Sequence, residues 1–262
     1  MSNFEKDYLK LVQKVLDNGT IKKVRNWWTI ALFWEILEID SLEYGLFPIL
    51  TSRKIYYNSA LWEFAAIIRW PKHISDFTAW GCNYRDKRAR ADGSIKLDYW
   101  NKRLNFHWYN QLDKLITNIK SDPWNRKLLI NARDPSNLEN LDLECCHYAY
   151  QFFVRNWKLD MLWNQRSADL MVGIPYDIIL AAIFLLTLSS EVNLRPWTIK
   201  MVLWDVHIYD EHIDKAKELL KRDNLFLSPS YKLKWWLYWF EPANLTIKNY
   251  KSGDRLDFIL KE

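Results

Sequence analysis

The chain has 262 residues, enough to bury a full core as one large domain or two small ones. Apolar residues make up 49% and aromatics 16%, with 16 Trp, which excludes a disordered or low-complexity chain. The 37 Lys and Arg are interspersed with 32 acids for a formal charge of +5, an ordinary surface with room for one anion pocket. Nucleic acid is not an expected partner, and the basic stretch 85–90 reads as a solvated loop. Cys82, Cys145 and Cys146 make a poor disulfide framework, because vicinal cysteines rarely pair and an odd number leaves one over. A reducing, cytoplasmic compartment is expected. Residues 1–10 carry no apolar signal core, and the longest apolar run, 178–188, is too short to span a bilayer, so no membrane is expected.

Taken in order, residues 8–16 have helical apolar spacing, and Asn18-Gly19 supplies a stop. Alternating segments that suit strands follow to about residue 57. Residues 59–70 predict a helix ended by Pro71, and 97–119 a second, longer amphipathic one. After Asp122-Pro123, strand-like runs occupy 127–131, 146–154 and 159–165. Pro175 or Asp177 opens an apolar helix to about Val192. A strand at 198–209, a helix to about Arg222, and late strands at 232–240 and 245–250 complete the pattern. With no internal repeat and no long linker, the expectation is an α+β fold in a single domain over 1–262.

Three segments concentrate polar side chains among apolar ones: Leu143-Glu-Cys-Cys-His147, Gln165-Arg-Ser-Ala-Asp169 followed by Gly173-Ile-Pro-Tyr-Asp177, and Asp205-Val-His-Ile-Tyr-Asp-Glu-His212. Buried polar groups are costly unless paired, so three such clusters suggest one shared site. No metal-ligand spacing is present, and no metal is expected.

The order and spacing of these segments resemble thymidylate synthase, most strongly over 122–220 and traceably from 8 to 99. The resemblance implies a mixed sheet packed with helices, with a sheet face forming a homodimer interface. It also implies a pyrimidine deoxynucleoside monophosphate as substrate and 5,10-methylenetetrahydrofolate as co-substrate. Within it Cys146, followed by His147, is the nucleophile that adds to C6 of the base; a neighbouring Arg166 cation favours the thiolate. Arg166, Ser167 and Arg25, the last in a mobile loop, would hold phosphate, since guanidinium and hydroxyl donors match phosphate oxygens. Arg126 and Lys127 would reach across from the second subunit. Asn26-Trp27-Trp28 stand where the family has glycines after the loop arginine.

By the same resemblance Glu63 moves protons at the base, while Gln165 and Asp177 contact it. His207 and Tyr209 bond the sugar 3′-hydroxyl. Asp169 faces the pterin of the folate, and Trp80, Leu143, Val172, Gly173 and Tyr176 wall its site. Each assignment has a structural alternative: a core tryptophan at 80, a salt-bridged Glu63, surface ion pairs at Arg25 and Lys127.

Asp177 is the informative departure, because thymidylate synthases carry asparagine there. An amide can donate to uracil O4 and accept from N3–H, whereas a carboxylate only accepts and suits the amino group of cytosine. The swap is that of the related deoxycytidylate hydroxymethylases, whose product supplies DNA synthesis in bacteriophage. The ending Asp257-Phe-Ile-Leu-Lys-Glu262 lacks the family's usual Lys-x-x-Ala-Val type of close. A looser lid would admit water, so a hydroxymethyl product is expected. The alternatives are a dCMP methyltransferase, a thymidylate synthase or hydroxymethylase that uses dUMP, and a catalytically inactive nucleotide- or RNA-binding homologue.

Overall fold

The structure is a computed structural model that describes residues 3–69, 71, 73–82, 91–94, 109–141, 144–223, 226–234 and 237–261. Helix α1 (Asn3–Asn18) forms because Phe4, Tyr8, Leu11, Val12 and Val15 recur at helical spacing, and all five lie buried. It stops where the Gly19 amide donates to Val15 O at 2.9 Å. Strands β1 (Thr20–Val24) and β2 (Trp27–Ile39) then fold back as a hairpin in which Val24 pairs with Trp27. Only Arg25 and Asn26 are left for the turn, with Arg25 at φ 54°. The expected mobile loop is therefore a tight hairpin here. Trp27, Trp28 and Thr29 favour extended backbone where glycines would have kept a loop open.

Helices α2 (Asn58–Ile67) and α3 (Ile74–Thr78) follow, then α4 (Gln111–Ser121), whose start is capped by the Asn110 side chain accepting from Asp113 N at 3.0 Å. The short α3 was not expected; His73 and Asp76 cap it reciprocally. Residues 85–90, and 97–108 of the expected long helix, lie outside the described residues. Strands β3 (Leu129–Asn131), β4 (His147–Arg155) and β5 (Lys158–Asp169) come next, followed by α5 (Gly173–Glu191), β6 (Arg195–Tyr209) and α6 (Ile213–Leu220).

Six strands make one mixed sheet in the order β1-β2-β6-β5-β4-β3. Every neighbouring pair is antiparallel except β5 and β6, which are parallel. A parallel pair needs a crossover, and α5 supplies it. Its run from Ile178 to Ser189 is wholly buried, so the helix is apolar all round. Although α5 is long and apolar enough to cross a membrane, 78% of its apolar window is buried inside the fold. The opposite face of the sheet leaves Ile36, Leu129 and Phe153 exposed.

The strand expected at 232–240 is not one element. Only β7 (Ser230–Leu233) is extended, pairing with β8 (Leu245–Lys248), and Leu237–Trp239 forms a 3₁₀ turn. Leu237 and Phe240 are fully buried while Trp239 is exposed, a spacing of three rather than two.

Candidate functional site

Strand register alone brings the three polar segments together. His147 pairs with Gln165, Ser167 with Asp205, Asp169 with His207, and Tyr209 with Thr29. The carboxyl ends of parallel β5 and β6 therefore lie beside the start of antiparallel β4 and the β1–β2 hairpin. Crevices at the carboxyl ends of parallel strands are where mixed and parallel sheets commonly bind ligands. A register shift between His147 and Ala149 breaks the β4–β5 ladder beside Cys146. Such bulges re-aim side chains next to sites.

The first turn of α5 lies over the end of β5. Asp169 Oδ1 accepts from the amides of Met171 and Val172 at 2.9 and 3.1 Å, which anchors the turn into the helix. This places Asp177 against Gln165, whose Nε2 donates to Asp177 Oδ2 at 2.7 Å and to Ser167 O at 3.0 Å. The Gln165 orientation is fixed from behind, because the indole N–H of Trp163, which can only donate, points at Gln165 Oε1 at 3.0 Å. Asp177 Oδ1 faces His147 Nε2 at 3.8 Å. A side chain at Gly173 would come into van der Waals contact with Asp169 Cβ and Asp177 Oδ2, so the glycine leaves the space beside Asp177 unfilled.

Cys146 is half-buried and directly precedes β4, whereas Cys82 and Cys145 are buried. Arg166 is tied to the same loop: its backbone amide donates to Cys146 O at 2.7 Å, and its side chain donates to Cys145 O and Glu144 O, both at 3.0 Å. Glu144 also lies 3.7 Å from Arg166 and 3.4 Å from Arg133, an arginine that sequence reasoning passed over.

On the other side, His207 Nδ1 lies 3.2 Å from Asp205 Oδ1, and Lys22 of β1 bonds Asp205 Oδ2. Burial alone would raise the Asp205 carboxyl, but the hydrogen bonds from His207 and Lys22 outweigh it and hold it below the usual range. His207 and Tyr209 pack edge to face, centroids 5.3 Å apart. Burial raises the Tyr209 hydroxyl, Asp169 and Cys146 add to the shift, and Arg25 opposes it. Arg25, Cys146 and Asp169 thus all lie close enough to Tyr209 to act on its hydroxyl.

The C-terminal segment is not the loose lid expected from its sequence. Leu256 is buried, and Phe258 lies under the Arg53 guanidinium at 4.7 Å and packs edge-on against His212 at 5.3 Å. Lys261 pairs with Glu211 at 2.5 Å and lies 3.7 Å over the Trp27 ring. Backbone carbonyls of the segment accept from Arg222, Lys215 and His212. Leu256 is buried and Phe258 half-buried against the core, whereas Ile259 and Leu260 stay exposed.

His212 gives this segment a pH dependence. Its Nε2 donates to Ile259 O at 2.9 Å, and its buried Nδ1 has no hydrogen-bond partner among the described residues. Burial lowers its pKa from the ordinary 6.5; Asp169 opposes the shift and Lys261 adds to it. The unfolded chain then takes up the proton more readily than the folded one. This contribution is fully present above pH 6.5 and is lost as pH falls toward the lower folded value. Carboxypeptidase trimming of the tail, measured by mass against the free tail peptide, should accelerate between about pH 7 and about pH 5.5. His212→Gln should flatten that change.

The remaining expected residues are distributed as follows. Glu63 is buried on α2, and Trp80 follows α3 with the Arg69 guanidinium 4.2 Å from its ring. Val172 and Tyr176 are half-buried in the first turn of α5 and beside it. Arg126 and Lys127 are exposed in the turn before β3, the sheet edge opposite the β1–β2 hairpin. Leu143 lies outside the described residues. Among the described residues no group of three or more His, Cys, Asp or Glu is placed to hold a metal ion.

A model of the family described as Thymidylate synthase matches residues 6–261, nearly the whole chain. The chain belongs to the thymidylate synthase family. Thymidylate synthases are soluble, cytoplasmic transferases that move a one-carbon unit from methylenetetrahydrofolate to a pyrimidine nucleotide monophosphate. Dimers are typical of the family. The single α+β domain with its six-stranded mixed sheet is the architecture expected of it.

Proposed function

We propose that this chain transfers a one-carbon unit to C5 of dCMP and releases 5-hydroxymethyl-dCMP. The observation that carries the choice of dCMP is the carboxylate at position 177, held with Oδ2 on Gln165 Nε2; the hydroxymethyl product follows from the likeness to deoxycytidylate hydroxymethylases, which carry the same carboxylate. With that oxygen occupied, Oδ1 is the edge that reads the base. It can only accept, which suits the N4 amino group of cytosine and opposes the O4 of uracil. A proton held between cytosine N3 and the acid would also make C6 more electrophilic.

In this reading Cys146 forms the bond to C6, and Arg166 and Arg25 keep positive charge beside the thiolate and the phosphate. Ser167 bonds the phosphate, while His207 and Tyr209 hold the sugar. Glu63 moves the C5 proton. Bound methylenetetrahydrofolate supplies the one-carbon unit. The residues that would hold it are Trp80, Leu143, Asp169, Val172, Gly173 and Tyr176, and the bare Gly173 supports this by keeping clear the space that a side chain would enter. Arg126 and Lys127, exposed at the far sheet edge, are assigned to the site of a second copy. The exposed Ile36, Leu129 and Phe153 face is assigned to that dimer.

The docked C-terminal segment favours a second reading, in which water is kept out and 5-methyl-dCMP is formed. Incubating the protein with dCMP or dUMP and methylenetetrahydrofolate, then weighing the nucleotide, separates the two. A hydroxymethyl adduct on dCMP without dihydrofolate is expected. Dihydrofolate appearing with a methyl adduct supports the second reading, and conversion of dUMP alone overturns both.

A further inference from the structure

The proposed base-reading carboxylate has a neighbour, His147, whose ring is hydrogen-bonded to a buried tyrosine. His147 Nδ1 lies 2.6 Å from the Tyr150 hydroxyl oxygen, and that same oxygen lies 3.0 Å from His147 O. A phenol carries one hydrogen, and a carbonyl can never donate. An oxygen lone pair facing a carbonyl oxygen at 3.0 Å would be repulsive, so the phenolic hydrogen lies on that line. With the phenolic hydrogen on the carbonyl, the Tyr150 oxygen accepts from the ring and Nδ1 carries the imidazole hydrogen. In the neutral ring this leaves Nε2, the nitrogen turned toward Asp177 Oδ1 at 3.8 Å, as an acceptor.

The plane of the ring is held by its neighbours. His147 is stacked on Trp163 with centroids 4.4 Å apart and planes at 27°, and Tyr150 packs edge-on against the same indole at 4.7 Å. Tyr150 and Trp163 are fully buried and His147 nearly so. Trp163 also holds Gln165, so one indole fixes the neighbours on both sides of Asp177.

We propose that Tyr150 is a positioning residue that fixes His147 in its Nδ1–H tautomer, so that His147 Nε2 and Asp177 Oδ1 form an acceptor-only wall against the position-4 substituent of the base. Such a wall takes an amino group and repels a keto oxygen at two points rather than one. The consequence for base choice rests on the dCMP reading; the tautomer does not.

The two parts are tested separately. Protein labelled with ¹⁵N-histidine, with His147 assigned by its absence in His147→Gln, reports the tautomer through two-bond ¹H–¹⁵N correlations. At about pH 8, above the ordinary histidine range, the expected pattern is a neutral ring protonated on Nδ1. A ring protonated on Nε2, or on both nitrogens, overturns the proposal whether or not dCMP is the substrate. In Tyr150→Phe the hydroxyl acceptor is gone, and the ring should move to the Nε2–H form that can donate to Asp177. Its dUMP-to-dCMP ratio of kcat/KM should rise about tenfold, the discrimination of one reversed hydrogen bond. A tautomer change with an unaltered ratio overturns the wall. If Tyr150→Phe does not fold, the wild-type spectrum still decides the tautomer, and the same ratio measured in His147→Gln decides the wall. A chain that converts no dCMP at all defeats the functional reading and leaves the ring spectrum to stand alone.

Discussion

Replacing Cys146 with serine is expected to lower turnover by on the order of 10⁴-fold or more, as removal of a covalent nucleophile does in other enzymes. The sulfur is placed for the role by its surroundings more than by its own sequence. It lies half-buried at the start of β4, while its neighbour Cys145 is turned into the core. Arg166 is fastened to the carbonyls of Glu144 and Cys145, so its cation is held on the loop that carries Cys146 without depending on bound substrate. A serine hydroxyl in the same place stays protonated at neutral pH, and no neighbouring cation is strong enough to change that. Release of tritium from C5 of labelled dCMP reads the step directly, because it follows addition at C6 and does not require a finished product. Cys145→Ser and Cys82→Ser serve as controls that alter packing and leave the release intact. Undiminished release from Cys146→Ser would sink the assignment.

Much of this site was legible in the sequence because strand register is local. Once Cys146–His147, Gln165–Asp169 and Asp205–Tyr209 are each read as ends of strands, pairing them puts their polar side chains on one rim. The apolar run through α5 was equally plain, since a helix buried all round has no polar face to obscure it. What escaped depends on contacts between distant segments. Lys22 binds Asp205 across 183 residues, and Arg53 reaches Met171 and Leu256 across the core. No spacing rule could have named either. Tyr150 and Trp163 lie in strand-like runs with nothing local to single them out, and only the positions of their single polar atoms distinguish them from phenylalanine in that role. The tail was misjudged for a related reason: its ending differs from its relatives', but burial of Leu256 and packing of Phe258 need apolar side chains rather than a particular motif. The Arg25 hairpin was misjudged because family likeness supplied a loop where Trp27 and Trp28 supply strand.

Asp177→Asn is expected to shift the ratio of kcat/KM from dCMP toward dUMP by about 10³- to 10⁴-fold, the scale on which sites that bond a polar substituent reject its analogue. The direction follows from Gln165. Its Nε2 is committed to Ser167 O, and its Oε1 to the Trp163 indole, so it presents a donor to position 177 and cannot turn round. An asparagine there must offer its carbonyl oxygen to that donor, which swings its NH₂ toward the base. The edge becomes a donor for O4, and the asparagine carbonyl can also accept from N3–H, which is the complement of uracil. Aspartate and asparagine have nearly the same shape, so the fold is not at issue and the change isolates the polarity of one edge. His147 limits the completeness of the switch, because its Nε2 would still oppose a keto oxygen after the substitution. Adding Tyr150→Phe to Asp177→Asn should therefore raise dUMP turnover further than either change alone. Competition between the two nucleotides in one reaction measures the ratio free of errors in enzyme concentration. An unchanged ratio in Asp177→Asn would mean that position 177 does not read the base.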